Sequence, residues 1–495
     1  MQLTEASFKE VRDAVLKKEI SAVEITKHFL TRSEKLNPQL NAYITMNTEA
    51  LAEAQKIDQR IAQGEAVGPL AGISFGIKDL LCTRGLKTTA GSKILGNFIP
   101  PYDSTVVRRL KNAGAIVLGK MNLDEFAMGS SNETSFFGKC HNPWNTNHVP
   151  GGSSGGSAAA QASRLVMGTI GTDTGGSIRQ PASFCGVVGV KPTYGRISRY
   201  GIVAYASSLD QAGPIVSSIE DAALTLEVIS GHDENDSTTS QKTVPAFSKN
   251  LSRNMKGMKI GLLKEYKTGE LHFDITKTFE RAIEELKKAG AEIVEVSVPL
   301  TEFAVPMYYL IAASEASSNL ARYDGVKFGY RADFKDLSSL SLDDFYSQTR
   351  GEGFGKEVKR RIMLGTYCLS SGYYDAYYNK ACQVRRLLRE QYLEVFKTCD
   401  AILSPVTTSP AFKIGERSSD ALKMYLNDIF TTATNLAGLP GLSVPFGFSE
   451  QGLPIGIQLT GAHFEEQKIL NVAYALEECA QLTNANGQKR IPDVY

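Results

Sequence analysis

The chain has 495 residues, 42% of them hydrophobic, and its 54 basic and 53 acidic side chains leave a formal net charge of +1. That length can bury a large core, enough for roughly two to four domains of ~150 residues or for one large α/β domain with insertions. The balanced charge provides no overall field for DNA, RNA or an anionic membrane, so any nucleic-acid partner must be met through a local patch or another protein of a complex.

Residues 1–63 read as three helices. Leu3, Phe8, Val11, Val15 and Leu16 fall near helical spacing, Val23, Ile25 and Phe29 continue to a break at Asn37-Pro38, and LAEAQKIDQRIAQG closes at Gly64. Residues 1–64 are therefore expected to form a helical segment packed on an α/β domain of residues 65–495, most simply as one continuous domain. From Pro69 the texture changes: AGISFGIKDLL reads as a buried strand, and STVVRRLKNAGAIVLGK reads as helix, glycine stop and strand. The same idiom recurs in ITKTFERAIEELKKAGAEIVEVSVP, after the strand-like KIGLLKEY. This alternation predicts an α/β fold with helices on both faces of a sheet. The polar stretch 232–250 reads as a surface loop between two halves of the sheet, and 324–355 is too long for a plain connection. Residues 356–396 read as helical, followed by the strand-like DAILSPVTTSP, NLAGLPGLSVPFG and GLPIGIQLTG.

The seven cysteines include no C-x-x-C pair, which points to reduced thiols in a cytoplasmic protein and not to a disulfide or zinc framework. The opening MQLTEASFKEVRDAV lacks the apolar core of a signal peptide, and no run of 18 apolar residues suggests a membrane span.

Between Gly151 and Arg179 the chain reads GGSSGGSAAAQASRLVMGTIGTDTGGSIR, two knots of glycine and hydroxyl residues. Glycines let backbone N–H groups converge on one point, and serines beside them supply oxygen nucleophiles. Three chemistries compete for this pattern. Gly171 and Gly176 have the spacing of a phosphate loop, but Ser177 and Ile178 stand where Lys and Ser/Thr belong. Gly151, Ser153 and Gly155 fit a nucleophile elbow, which needs a downstream histidine such as His232, His272 or His463. The third activates serine through a lysine, and Lys78 closes the apolar run GISFGIK. A lysine with a pKa near 10.4 costs ~4.6 kcal/mol to deprotonate at pH 7, and burial can lower it by up to ~3 to 5 units. Asp79 opposes that shift unless strand alternation turns its carboxylate away.

GISFGIKD, GGSSGGSAAA and GTDTGGSIRQPASFCGVVGVKPTYGRIS, in that order, resemble the amidase signature family. The resemblance implies a large, twisted mixed sheet covered by helices, with a Ser-cisSer-Lys catalytic set. It implies Ser177 as nucleophile, Ser153 as bridging serine on a cis peptide after Gly152, and Lys78 as base. The amides of Thr174, Gly175, Gly176 and Ser177 would form the oxyanion hole, and no cofactor is implied in this chain.

Flanking segments, among them LDEFAMGSSNETSFFG, VKRRIMLGTYCLSSGYYDAYY and MYLNDIFTTATNLAGLPGLSVP, resemble the tRNA-dependent amidotransferase branch of that family. This implies a glutaminase in a heterotrimer, supplying ammonia to a tRNA-binding synthetase partner that uses ATP and Mg2+ on Glu-tRNA(Gln), with a small third partner. Free glutamine carries a carboxylate and an ammonium. The resemblance gives the first to Arg361, with Arg360 as competitor, and the second to Asp428. Gly129, Ser130 and Tyr309, with Tyr308 as its alternative, are expected to line the same pocket. A free-standing amidase of the family is the other reading.

Overall fold

Capping chemistry sets the first elements of the computed structural model, which describes residues 1–268, 271–335, 340–417, 427–480, 482 and 492. Ser7 and Ser21 each accept from the amide three residues on while Glu10 and Glu24 bond back, so two capping boxes start the helices Phe8–Leu16 and Ala22–Leu40. The second helix runs through the expected break at Asn37-Pro38. Pro38 lies in its last turn, where one missing amide is tolerated, and Asn41 (φ 49°) ends it in the left-handed conformation.

Among the described residues eleven strands form one sheet: β1 (Tyr43–Met46), β2 (Ser74–Lys78), β3 (Ile116–Met121), β4 (Gly168–Thr172), β5 (Val188–Lys191), β6 (Ala212–Val216), β7 (Lys259–Leu263), β8 (Glu292–Val296), β9 (Ala401–Pro405), β10 (Gly441–Phe448) and β11 (Pro454–Gly461). Their order is β1-β3-β2-β4-β6-β5-β10-β11-β9-β7-β8. Parallel blocks, β3-β2-β4 and β9-β7-β8, flank an antiparallel centre. The helical reading of 1–63 omits β1, which pairs antiparallel with β3 and makes the N-terminal segment part of the sheet. Four residues are too few to show a period, so sequence pattern does not reveal this strand.

Both faces of the sheet are buried. Ile215 belongs to an apolar cluster with Ala158, Ile178 and Ala182, whereas its neighbour Val216 belongs to the main core with Ala222 and Leu226, as strand alternation requires. A second large core gathers Ile311, Val358, Leu388 and Tyr392 from the helices Ala304–Asn319, Lys356–Leu369 and Lys380–Val395.

Three connections differ from a plain reading. The 232–250 stretch is no simple surface loop, because Asp233 and Asp236 are buried. Asp233 accepts from Ser198 Oγ at 2.6 Å and Asp236 from the Arg199 amide at 2.8 Å. Within 324–355 the helix Leu342–Gly353 forms behind an N-cap at Ser341, residues 336–339 lying outside the described ones. The 356–396 region is two helices separated by a π turn, Asp375–Asn379. No helix among the described residues is long and apolar enough to cross a membrane.

Candidate active site

Lys78 is the last residue of β2, with Phe75 and Ile77 fully buried before it. β2 runs parallel to β3 and β4, and sites on such sheets form beyond the carboxyl ends of the strands. The lysine is itself wholly buried, and its Nζ lies 2.8 Å from each of three hydroxyls, Ser153 Oγ, Ser154 Oγ and Thr172 Oγ1. No carboxylate among the described residues bonds it. Burial lowers its pKa to about 7, and the more distant Asp124, Asp173 and Asp210 oppose that fall. Asp79 does face away: its carboxylate takes the Thr89 amide at 2.9 Å and pairs with Lys120 at 3.2 Å. Two buried lysines on adjacent strands are thus treated differently, and of the pair Lys120 has the bonded counter-ion.

The two Gly-Ser knots meet at this lysine. The Gly152–Ser153 peptide is cis, and the Ser154 amide donates to the Ser177 carbonyl at 3.2 Å. Ser154 Oγ donates to the Thr172 carbonyl at 3.0 Å, so its single proton is committed. Ser153 and Thr172 are the lysine's neighbours whose hydroxyl protons are not so committed, and of these Ser153 lies on the first Gly-Ser knot. No hydrogen bond joins the Ser177 hydroxyl to Ser153 among the described residues, in keeping with catalytic contacts that tighten only around a substrate.

The second knot wraps a carboxylate. Asp173 accepts from the amides of Gly176 (2.8 Å) and Ile178 (3.1 Å), from Arg179 Nε (3.0 Å) and from Asn435 Nδ2 (2.8 Å). Burial alone would raise its pKa, but the Arg179 guanidinium, together with Lys191 and the Asn435 hydrogen bond, more than offsets this and holds it well below the usual carboxylate range. Arg179 continues to Gln458 Oε1 at 2.7 Å and the Thr431 carbonyl at 3.1 Å. Gly176, at φ +141°, must be glycine, because a Cβ there would overlap Thr431 Oγ1. Its amide is taken by Asp173, so it differs from the other three expected oxyanion donors. The amides of Thr174, Gly175 and Ser177 donate to no hydrogen bond among the described residues.

A charged end lies beside this loop. Of the two adjacent arginines, Arg361 is buried and Arg360 half-exposed, and both pair with Glu357, at 2.9 and 3.0 Å. Arg361 bonds the Tyr205 hydroxyl at 2.5 Å, and its guanidinium lies 5.1 Å from the Tyr309 ring. Tyr308 instead packs on the nucleophile loop, where a Cβ at Gly175 would come within 2.8 Å of its ring. Asp428 Oδ2 accepts from Ser130 Oγ at 2.5 Å, while Oδ1 is buried with no hydrogen-bond partner among the described residues. Burial raises the Asp428 pKa to about 7, against the Ser130 hydrogen bond. Gly129, Ser130 and Arg361 line a cavity of about 300 Å³ together with Arg360. Lys78, Ser153, Ser177 and Asp428 are not in its wall.

Sequence reasoning misses Thr172, Tyr205 and the Asp173–Arg179–Asn435–Gln458 network. Asp173 and Arg179 do carry a signal, being charges inside a small-residue motif. The histidines of the elbow alternative bond elsewhere: His232 to Thr239, His272 to the Asp274 amide and His463 to the Ala437 carbonyl. No group of three or more His, Cys, Asp or Glu side chains that could hold a metal occurs among the described residues.

A serine-lysine centre at the carboxyl end of β2, with free amides beside Ser177, is equipped for acyl transfer from an amide or ester. The chain belongs to the amidase family, whose model matches residues 24–470. It is 73% identical over 477 residues to the A subunit of the glutamyl-tRNA(Gln) amidotransferase of Bdellovibrio bacteriovorus, covering 96% of this chain and 97% of that one. The crystal structure of the corresponding glutamyl-tRNA(Gln) amidotransferase chain from Thermotoga maritima superimposes with a TM-score of 0.82 at 41% identity, covering 100% and 99% of the two chains. A peptide amidase from Stenotrophomonas maltophilia also matches, with a TM-score of 0.82 at 31% identity, covering 100% and 99%.

Proposed function

We propose that the chain is the glutaminase component of a tRNA-dependent amidotransferase. The observation that carries this reading is the pairing of two opposite buried charges beside the serine-lysine centre. Arg361, held by Glu357 and Tyr205, offers a buried positive charge for the α-carboxylate of glutamine, and the unbonded Asp428 Oδ1 offers an acceptor for its α-ammonium. Lys78, whose burial makes the neutral amine accessible near pH 7, takes a proton through Ser153 from Ser177, whose oxygen attacks the side-chain amide carbon. The proton passes to the leaving nitrogen, ammonia departs, and water hydrolyses the acyl-Ser177 ester to glutamate. The free amides of Thr174, Gly175 and Ser177 face the developing oxyanion, and each such donor contributes roughly 3 kcal/mol in comparable sites.

The high identity to an amidotransferase chain, over almost all of both sequences, supports a heterotrimer. In it a synthetase partner, with a small third chain, uses this ammonia to convert Glu-tRNA(Gln) to Gln-tRNA(Gln). ATP and Mg2+ belong to that partner's chemistry, and the setting is the cytoplasm. Residues 1–64 and 65–495 act as one domain, a reading supported by β1 lying in the common sheet.

The test is Ser177→Ala in the co-purified complex. Glutamine-dependent formation of Gln-tRNA(Gln) is expected to vanish while ammonium salts still support it. Full activity with glutamine would overturn the assignment. A free-standing amidase differs in turning over uncharged amides as well as glutamine without any partner.

A further inference from the structure

Arg361 owes its place to the helix Lys356–Leu369, which begins at Gly355 with no side-chain cap of its own. The cap comes from a distant part of the chain. The Gly355 amide donates to both oxygens of Glu125, at 3.1 and 2.9 Å, across 230 residues of sequence. Ser92 Oγ donates to the same carboxylate and contacts the carbonyl of Gly353, at the end of the preceding helix, at 3.3 Å. A carboxylate suits this position, because a helix N-terminus has unpaired amides and partial positive charge. The approach is also close enough to fix the residue opposite: a Cβ at position 355 would overlap Glu125 Oε2.

Glu125 belongs to the other wall of the pocket as well. Its amide donates to Thr134 Oγ1 at 3.1 Å. Its neighbour Asp124 accepts from the amides of Ser131 and Asn132 at 3.2 and 2.8 Å, holding the turn that brings Ser130 to Asp428. One dipeptide therefore ties the helix bearing Arg361 to the turn bearing Ser130.

The geometry points to Glu125 as a positioning residue for amino-acid recognition: by capping the Arg361 helix from the turn that carries Ser130, it fixes the separation of the two charged ends of the pocket. This rests on the glutamine reading given above. Glu125 acts through Arg361 and takes no part in the proton transfers at Lys78.

The test uses the complex of this chain with its partner proteins and two substrates, glutamine and butyramide, an uncharged primary amide that engages neither Arg361 nor Asp428. Glu125→Ala is expected to raise KM for glutamine about tenfold or more, with kcat for glutamine and kcat/KM for butyramide changed by less than about twofold. Glu125→Gln, which keeps an acceptor oxygen, restores most of the affinity, and Ser92→Ala produces a smaller rise in the same KM. An unchanged KM in Glu125→Ala overturns the proposal, as do parallel losses on both substrates. If Glu125→Ala fails to fold, the comparison passes to Glu125→Gln and Ser92→Ala, and an unchanged glutamine KM in both overturns it. Failure of the glutamine reading looks different, since the wild-type complex would then show no preference for glutamine over butyramide.

Discussion

Lys78 and Asp428 are both buried ionisable groups, yet they are held in opposite ways. Lys78 is enclosed by three hydroxyls at hydrogen-bond distance, all from residues 153–172 and so from the neighbouring strand and the first knot. Asp428 lies far along the chain from its partner Ser130 and keeps one oxygen unbonded. The hydrogen-bond shell of Lys78 is therefore complete before any substrate arrives, with the Ser177–Ser153 contact still to close, whereas Asp428 keeps bonding capacity that a ligand can use. Leaving a buried acceptor unpaired costs about 1–3 kcal/mol, and a bound ammonium recovers that cost as selectivity.

The contrast breaks most sharply at Lys78. Lys78→Ala should lower kcat for glutamine about 10²- to 10⁴-fold, with ammonium-supported amidation intact, and a loss confined to KM would move the lysine to the recognition end. Next come Arg361→Lys and Asp428→Asn, each expected to raise KM for glutamine by about 30-fold or more, the first because it loses the planar guanidinium geometry and the second because it leaves the ammonium without its counter-charge. A fall in kcat alone would place these side chains at the chemistry.

The pH profile sharpens the same division. Lys78 works as the neutral amine and titrates at about 7, so kcat should fall toward tenfold per unit as pH drops below that value. Asp428 must be ionised to hold the ammonium and also titrates at about 7, so KM should rise over the same range. Asp428→Asn should remove most of the KM limb and keep the kcat limb, the remaining slope coming from Glu125, which burial also raises to about 7, as steady-state kinetics from pH ~5.5 to ~9 would show. The smallest effect on turnover is expected from Asn435→Ala, which removes a bond to the Asp173 carboxylate. Denaturant unfolding should register a stability loss of about 1.5–3 kcal/mol.

Much of the reacting end is legible in the sequence because its constraints are local. A lysine closing an apolar run and glycines clustered with serines are unusual compositions, and each has a physical reason visible in its immediate neighbours. The recognition end is less legible, since its contacts join distant parts of the chain. The two arginines are separated only by the fold: Arg361 shares a buried helical stripe with Val358, Gly365 and Cys368, whereas the stripe of Arg360 carries the equally apolar but exposed Met363, Leu364 and Tyr367. Tyr205 and Asn435 give no sign in the sequence either, because a tyrosine or asparagine fits core, loop and site equally well. In the fold, the α/β alternation is readable, whereas β1 is too short for a period and Pro38 looks like a break where the helix has only one turn left.

The network behind the nucleophile also bears on the order in which the site is assembled. Arg179 bonds the Thr431 carbonyl and Gln458, 252 and 279 residues further on, and Asp173 bonds Asn435. A ribosome that has just finished the Gly-Ser knots has produced Lys78, Ser153 and Ser177, but not β11, whose Gln458 bonds the arginine behind the Ser177 loop. The last of these bonds can form only once β11 (Pro454–Gly461) has been made. The residues of the serine-lysine centre thus lie close together in the chain, while the bonds that hold the Ser177 loop depend on closing contacts between distant segments.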